Sequence, residues 1–488
     1  MALSLYAAAR RKSLVLVVGA ALAGTVAPAQ AREVSMADLM QELKRLSARI
    51  EKLEKRNTEI EKGLESERVS EQEPEIATRL KAVEFQALGM QKQARTIEAL
   101  DGVTTSVGFT TVAQHASGGA TTANRGQSEL NYRADVAVTL PAGNIGNAKG
   151  KLFGHVRIGQ GRGLGSLRTS YSGSNASAFQ LGGVSQPEDS AVMLAQAWYQ
   201  ADIPLPLGGF APRSREHLEI NFGKLDPFAF FDQNAAANDE TRQFLASPFV
   251  HNALLDNPIA ANIGANAYGF SPGVRVAYIN EQSKPEGYDL SLGVFGAGGG
   301  ANYDGSFGSP FVIAQWGNKL RFNGLEGNYR FYAWRNGRAP TYVSGETRAH
   351  RGFGVSVDQR VGDATTLFAR FGTASGEKLP FDRTLALGAE FGGSYWDRGA
   401  DALGLGLAFN RTSADFRRDA ETLDADANGN ADYGWAADGY EKAFEIYYRY
   451  RLAKQFEISP DVQLIAQPAG NRGVSMMKIF GLRAQLTF

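Results

Sequence analysis

From Val103 to Phe488 the chain alternates apolar and polar residues with period two, and no stretch beyond residue 31 holds 18 or more consecutive apolar residues. Alternation puts successive side chains on opposite faces of a strand, whereas a helix that crosses a bilayer needs about 20 apolar residues in a row. Such a chain can span a membrane only as a closed sheet, in which lipid-facing apolar residues alternate with lumen-facing polar ones. The clearest case is Leu130 to Leu140, where even positions are apolar and odd positions, Asn131, Arg133 and Asp135 among them, are mostly polar or charged. Lys151 to Ile158 repeats the rule, with Leu152, Val156 and Ile158 on one side and Lys151, His155 and Arg157 on the other.

The same pattern predicts strands at 103–114, 128–140, 150–159, 191–203, 216–225, 272–279, 288–296, 311–320, 325–335, 352–361, 365–373, 384–392, 402–410, 442–452, 456–466 and 478–488. That makes sixteen, an even number that brings both ends of an antiparallel barrel to one side of the membrane. A soluble sandwich would also alternate, but it gives no reason for aromatics near so many strand ends, such as Tyr199, Phe222, Tyr278, Tyr288, Phe353, Phe371, Tyr450 and Phe488. These suit the aromatic belts at the two membrane–water interfaces. Loops at 160–190, 226–270, 336–350 and 411–440 are expected on the extracellular side, free to fold into the lumen, and short links such as Gly362-Asp363-Ala364 on the periplasmic side.

The N-terminal part is different. Residues 1–31 read as a secretory signal peptide, with Arg10, Arg11 and Lys12 before an apolar run from Leu14 to Val26 and a small-residue cleavage site at Ala29-Gln30-Ala31. Residues 32–100 hold 27 charged side chains in 69 positions and a single aromatic, Phe85, so a domain boundary is expected near Asp101-Gly102. In this segment Leu39, Leu43, Leu46, Ile50, Leu53, Asn57, Ile60 and Leu64 follow a heptad seam with Asn57 at an a position. A periplasmic α-helical coiled coil, about 40 Å long over its first half, through which copies of the chain associate, is the expected reading.

Two further features narrow the function. The 51 basic and 51 acidic residues cancel, which gives nucleic acid no electrostatic purchase. The absence of cysteine excludes disulfides, thiolate metal sites and thiol catalysis, and no cofactor is implied.

Residues 222–245 (Phe-Gly-Lys-Leu-Asp-Pro-Phe-Ala-Phe-Phe-Asp-Gln-Asn and onward to Phe244-Leu245) resemble the strand-to-loop stretch of carbohydrate-selective porins of the OprB type. Glu445 to Tyr450, Ile458 to Ile465, Gln467 to Asn471 and Gly481-Leu482-Arg483 are similar to the closing strands of that family. The final Leu486-Thr487-Phe488 resembles the terminal signature by which bacterial outer-membrane barrels are recognised for insertion. The resemblance covers roughly residues 101–488 and implies an all-β, 16-stranded outer-membrane channel for monosaccharides; the heptad segment departs from the family's simplest form.

A sugar channel needs side chains that replace hydroxyl hydration and flat faces for the apolar side of the ring. Strand parity places Arg133, Asp135, Lys151, His155, Arg157, Trp198, Arg275, Arg330, Trp334, Asp358, Arg370, Glu390, Glu445, Arg449 and Arg483 on the inward face, with Arg330 and Trp334 as the leading pair. Basic residues outnumber acidic ones there, so a weak anion preference is expected beside sugar passage.

Other motifs carry less. Gly269-Phe270-Ser271-Pro272-Gly273 matches a nucleophile elbow, but its proline leads into an expected strand where the motif needs a turn and a helix. The histidines at 115, 155, 217, 251 and 350 lack metal-ligand spacing. Asp424, Asp426, Asn428 and Asp432 follow the start of an EF-hand-type calcium loop, but the twelfth position is Trp435 rather than Glu, which favours an acidic surface loop. The reading is thus a non-enzymatic porin in the bacterial outer membrane, with outer-membrane lipid around it and small carbohydrates passing through it. Its alternatives are a less selective porin and a structural anchor that tethers the envelope through the coiled coil.

Overall fold

A computed structural model describes residues 102–488 apart from 179–189, 208–213, 262, 264–269, 299–304 and 306, together with Lys44, Ala48, Glu51, Lys52, Glu54, Lys55 and Thr58. The chain divides into two units, Met1–Asp101 and Gly102–Phe488. In the first, the seven described residues are helical and exposed, with Lys55 near Glu51 at 3.6 Å. The expected signal peptide and every residue of the heptad seam, Leu39 through Leu64, lie outside the described residues.

The second unit is a closed barrel. Its strands are β1 (Thr104–Ala116), β2 (Gln127–Ile145), β3 (Ala148–Gln160), β4 (Ala191–Pro204), β5 (Glu216–Leu225), β6 (Ser271–Asn280), β7 (Gly287–Phe295) and β8 (Phe311–Phe322). They continue as β9 (Leu325–Pro340), β10 (Thr347–Arg360), β11 (Thr365–Ser375), β12 (Phe381–Gly392), β13 (Ala402–Thr412), β14 (Tyr440–Arg451), β15 (Phe456–Ala466) and β16 (Met477–Thr487). Each pairs antiparallel with its neighbours in sequence, and β1 closes on β16 in the register Gly108↔Thr487. Closure leaves no strand edge, so backbone N–H and C=O groups along the ladder find partners away from water, apart from the bulges at Pro141/Asn144, His155/Val156, Arg348/His350 and Phe381/Arg383.

The sixteen expected strands are all present. One expectation needs correction: residues 336–350 are mostly strand, since β9 runs to Pro340 and β10 starts at Thr347, leaving a connection of 341–346. Period two continues there beyond the apolar stretch, because a barrel strand can rise out of the lipid while its ladder persists.

The shortest and the longest connections lie at opposite ends of the barrel. Between β8 and β9 the turn is Asn323-Gly324, both at positive φ (51° and 79°), the pair that a two-residue hairpin favours. Long connections lie at the opposite end: 161–190, 226–270 and 413–439. Phe488 exchanges backbone hydrogen bonds with Val107 (3.0 and 2.9 Å), so both ends of the barrel meet at the short-turn end.

Burial is inverted relative to a soluble protein. Leu130 is 65% exposed and Val192 67%, whereas Arg133, Arg370, Glu445 and Arg483 are buried. The exposed apolar face is what lipid covers. The interior is filled by the connections 161–178 and 226–261, whose Tyr171, Phe228, Phe231, Leu254 and Leu255 pack with wall residues Phe295, Phe311, Trp334 and Phe381. Glycines on the wall make room for them. A Cβ at Gly406 would meet the Phe249 ring at 2.7 Å, and one at Gly372 the Asn252 amide at 2.6 Å.

Candidate functional site

The 226–270 connection turns inward directly after β5. The Asp226 carboxylate accepts from Phe228 N at 2.9 Å and starts a single turn over Pro227–Ala229, which aims Phe228 and Phe231 into the lumen. The segment, with its one-turn helix α1 (Ser247–Val250), is then tied to the far wall. Asp232 meets Arg370 Nε of β11 at 3.2 Å and accepts from Tyr332 Oη of β9 at 2.9 Å. Leu245 N and Ala246 N donate to Glu445 of β14 at 2.6 and 2.8 Å. Arg483 of β16 donates to the carbonyls of Glu240 (3.0 Å) and Gln243 (2.7 Å), and Arg242 forks onto Glu457 of β15.

The 161–178 connection enters beside it. Glu441 of β14 accepts from Tyr171 N (2.7 Å), Ser172 Oγ (2.6 Å) and Ser170 Oγ (3.0 Å). Gln114 of β1 and Gln463 of β15 both donate to Ser174 O at 2.9 Å.

Between these two connections and the β2–β3–β4 wall lies a cavity of about 540 Å³, lined by Arg133, Arg157, Tyr171, Asp226, Phe228, Glu240, His251, Asp256, Asn257 and Phe270, among others. Its charges are arranged in pairs. Asp135 accepts from Arg133 Nε (2.7 Å) and Arg157 Nε (2.8 Å) and lies 2.8 Å from His155 Nε2; Arg133 also reaches Glu240 at 2.8 Å. His251 bonds Asp256 at 2.7 Å and stacks on Phe228 with centroids 4.3 Å apart. Burial lifts the Asp226 carboxyl to about 6. Burial pulls His251 down, but the hydrogen bond and charge of Asp256 outweigh it and the net shift is upward. Burial likewise disfavours an ionised Glu240, and the guanidiniums of Arg133 and Arg157 more than compensate, leaving it below its ordinary value.

Residues 155–488, more than half of the chain, match the model of the family described as carbohydrate-selective porin, OprB family. The chain belongs to the OprB porin family. Among solved structures it is similar to the high-pH structure of Pseudomonas putida OprB, with a TM-score of 0.63, 18% identity, and coverage of 81% of this chain and 96% of that one. Among curated proteins it is similar to the "Putative porin QuiX" of Acinetobacter baylyi, 26% identical over 227 residues (43% of this chain, 49% of that one). It is also similar to "Porin AaxA" of Chlamydia pneumoniae, 24% identical over 162 residues (33% of each). The chain spans about half the length, or less, of the curated relatives it matches. It is an outer-membrane porin, and the family and the barrel point to a channel rather than an enzyme.

The porin distributes its sequence-predicted residues over several places. Arg133, Asp135, His155 and Arg157 form one network at the cavity. Trp198 stacks on Phe153 at 4.7 Å and meets Phe230 edge-on at 5.8 Å, and the Arg275 guanidinium lies over the Phe230 ring at 4.7 Å while pairing with Glu219. Arg370, Glu445 and Arg483 hold the inward connection, as described. Glu390 accepts from Tyr447 Oη and lies 3.5 Å from Arg449. Lys151 pairs with Asp202 at 2.9 Å.

Arg330 and Trp334 both lie on β9 with separate neighbours. Four residues along a strand separate them by about 13 Å, Arg330 is engaged with Asp358 at 3.2 Å, and Trp334 is packed against Phe311 at 6.4 Å between ring centroids. Ser271 and Pro272 lie inside β6, so the expected absence of an elbow turn there matches the backbone. Asp424, Asp426 and Asp432 do come together, each offering an oxygen within 4.8 Å of the others, while the Trp435 indole donates to Ala469 O at 3.3 Å.

Asp226, Glu240, His251 and Asp256 escaped the parity argument because they lie outside the strands. A signal for them was present: Phe-Ala-Phe-Phe at 228–231, Phe-Leu-Ala-Ser-Pro-Phe-Val at 244–250 and Ala-Leu-Leu at 253–255 are too apolar for a water-covered loop.

Proposed function

We propose that the porin admits small carbohydrates, monosaccharides in particular, by facilitated diffusion, and that the solute binds in the cavity beneath the 226–270 connection. The observation that carries this reading is charge pairing. Of the lumen cations predicted from sequence, Arg133, Arg157, Arg275, Arg330, Arg370, Arg449 and Lys151 each lie within 4.0 Å of a carboxylate. A wall of paired charges offers many hydrogen-bond donors and acceptors with little net field, which suits neutral polyols better than free anions. Phe228, Phe270 and Tyr171 supply flat faces at the same cavity, whose volume is in the range that holds a small ligand. The family's description agrees with this choice.

The N-terminal segment, in this reading, is a periplasmic coiled coil through which copies associate. The test of the solute is single-channel current in a planar bilayer, with monosaccharides, disaccharides and amino acids titrated separately. Saturable block by a monosaccharide is expected, with about tenfold weaker block in Arg157→Ala or Glu240→Gln, the cost of one charge-assisted hydrogen bond. Arg330→Ala and Trp334→Ala are expected to leave the block in place. Current untouched by every sugar would refute the carbohydrate reading.

A further inference from the structure

The lipid-facing surface at the long-loop end carries cations that solute passage does not use. Outward positions run Tyr329, Phe331, Ala333, Arg335 on β9, Arg351, Phe353, Val355 on β10, and Phe371, Thr373, Ser375 on β11. Register sets Arg335 directly opposite Arg351, and Arg351 opposite Ser375. Like charges in directly opposed positions destabilise a sheet, so the pair calls for a counter-charge.

The neighbouring carboxylates do not supply it. Arg348 holds Glu346 at 2.5 Å and Glu377 at 3.5 Å, and Lys378 takes the other Glu346 oxygen at 2.7 Å. Arg351 Nε has only the Ser375 hydroxyl, at 3.4 Å, and the Arg335 guanidinium makes no hydrogen bond or ion pair among the described residues. Both guanidiniums line a surface recess of about 460 Å³ with Arg348, Ser375 and Glu377.

Directly below, toward the middle of the membrane, the surface becomes aromatic. Phe353 lies two residues, about 7 Å, from Arg351 along the strand. Its ring meets Phe371 at 6.4 Å, and Phe331 stacks on Trp316 at 5.6 Å. The four are 37–53% exposed. Long connections face outward in barrels of this kind, so the recess is at the outer leaflet.

We propose that this recess binds the phosphate of an outer-leaflet lipid headgroup between Arg335 and Arg351, with the acyl chains lying over Phe353, Phe371, Phe331 and Trp316. Planar guanidiniums suit phosphate oxygens, and the ring faces suit hydrocarbon. The proposal rests on the barrel's seat in the outer membrane and is independent of which solute passes through it.

The test is native mass spectrometry of the full-length porin in dodecyl maltoside, titrated with diphosphoryl lipid A, dephosphorylated lipid A or inorganic phosphate. A lipid adduct is expected with the diphosphoryl form and not with the dephosphorylated one. Arg335→Gln combined with Arg351→Gln is expected to weaken it about thirtyfold, roughly a factor of five for each cation near an anionic lipid surface. The single variants, each about fivefold weaker, serve if the pair does not fold by heat-modifiable gel mobility. Equal binding by the double variant, or equal binding of dephosphorylated lipid, would overturn the site. Saturation by inorganic phosphate at the lipid's own concentration would overturn the headgroup assignment. Bilayer conductance and sugar block, measured on the same variants, are expected to be unchanged, so loss of the lipid site and failure of the channel reading are read separately.

Discussion

Asp226 is a cavity-lining residue whose charge changes near neutral pH. Its carboxyl follows the last residue of β5, caps Phe228 N at 2.9 Å, and is lifted by burial from 3.8 to about 6. His251, across the same cavity, is burdened by burial but raised on balance by Asp256. As pH climbs, Asp226 gains a negative charge and His251 later loses a positive one, so both changes make the lumen more negative. Reversal potentials in a salt gradient are therefore expected to shift toward cations as pH rises through about 6, and Asp226→Asn is expected to remove that shift and leave the later one carried by His251. Stability follows with its own sign. The folded protein holds the Asp226 proton more tightly than the unfolded chain, so its contribution is complete below pH 3.8 and lost as pH rises through about 6. An Asp226→Asn protein that kept the wild-type pH profile of selectivity would remove Asp226 from this role.

Among the elements, the inward connection is the one whose release is expected to change function while sparing the ladder, since side chains tie it to the wall and no strand pairing runs through it. Its anchors are buried and charged: Arg370 is 1% exposed and Asp232 0%. Removing one partner of such a pair strands the other, typically at a cost of about 3–5 kcal/mol. Arg370→Ala is accordingly expected to release the connection while leaving the sheet closed, seen as higher and noisier single-channel current with unchanged heat-modifiable mobility. Asp232→Asn with Arg370→Met, which removes both charges, is expected to be milder than Arg370→Ala, and equal damage in the two would argue against the pair as the anchor. The strands themselves were legible, because period two persists wherever lipid lies on one side and polar lumen on the other. Residues 336–350 misled because the same ladder continues past the lipid. The inward connection was only half legible: its apolar runs announce burial, but they do not say which wall receives them.

At the scale of the whole molecule, β1 closes on β16 with Val107 and Phe488 paired at the short-turn end, so the barrel's ladder is complete without residues 32–100. Deleting residues 32–100 is therefore expected to leave insertion and single-channel conductance intact while abolishing association of copies, as measured by light scattering in detergent. Intact oligomers after deletion would assign association to the barrel wall, and envelope defects with unchanged conductance would favour the tethering alternative. The sequence by itself determined the closed sheet and its strand number, since a lipid solvent permits no unpaired backbone, whereas alternation fixes sides only between the bulges, such as those at His155/Val156 and Arg348/His350. Only the tertiary structure decided which connection fills the lumen and which carboxylate neutralises which cation. Those choices are made between residues far apart in the chain, such as Asp232 and Arg370 at a separation of 138, and depend on how a closed barrel brings distant strands across one cavity.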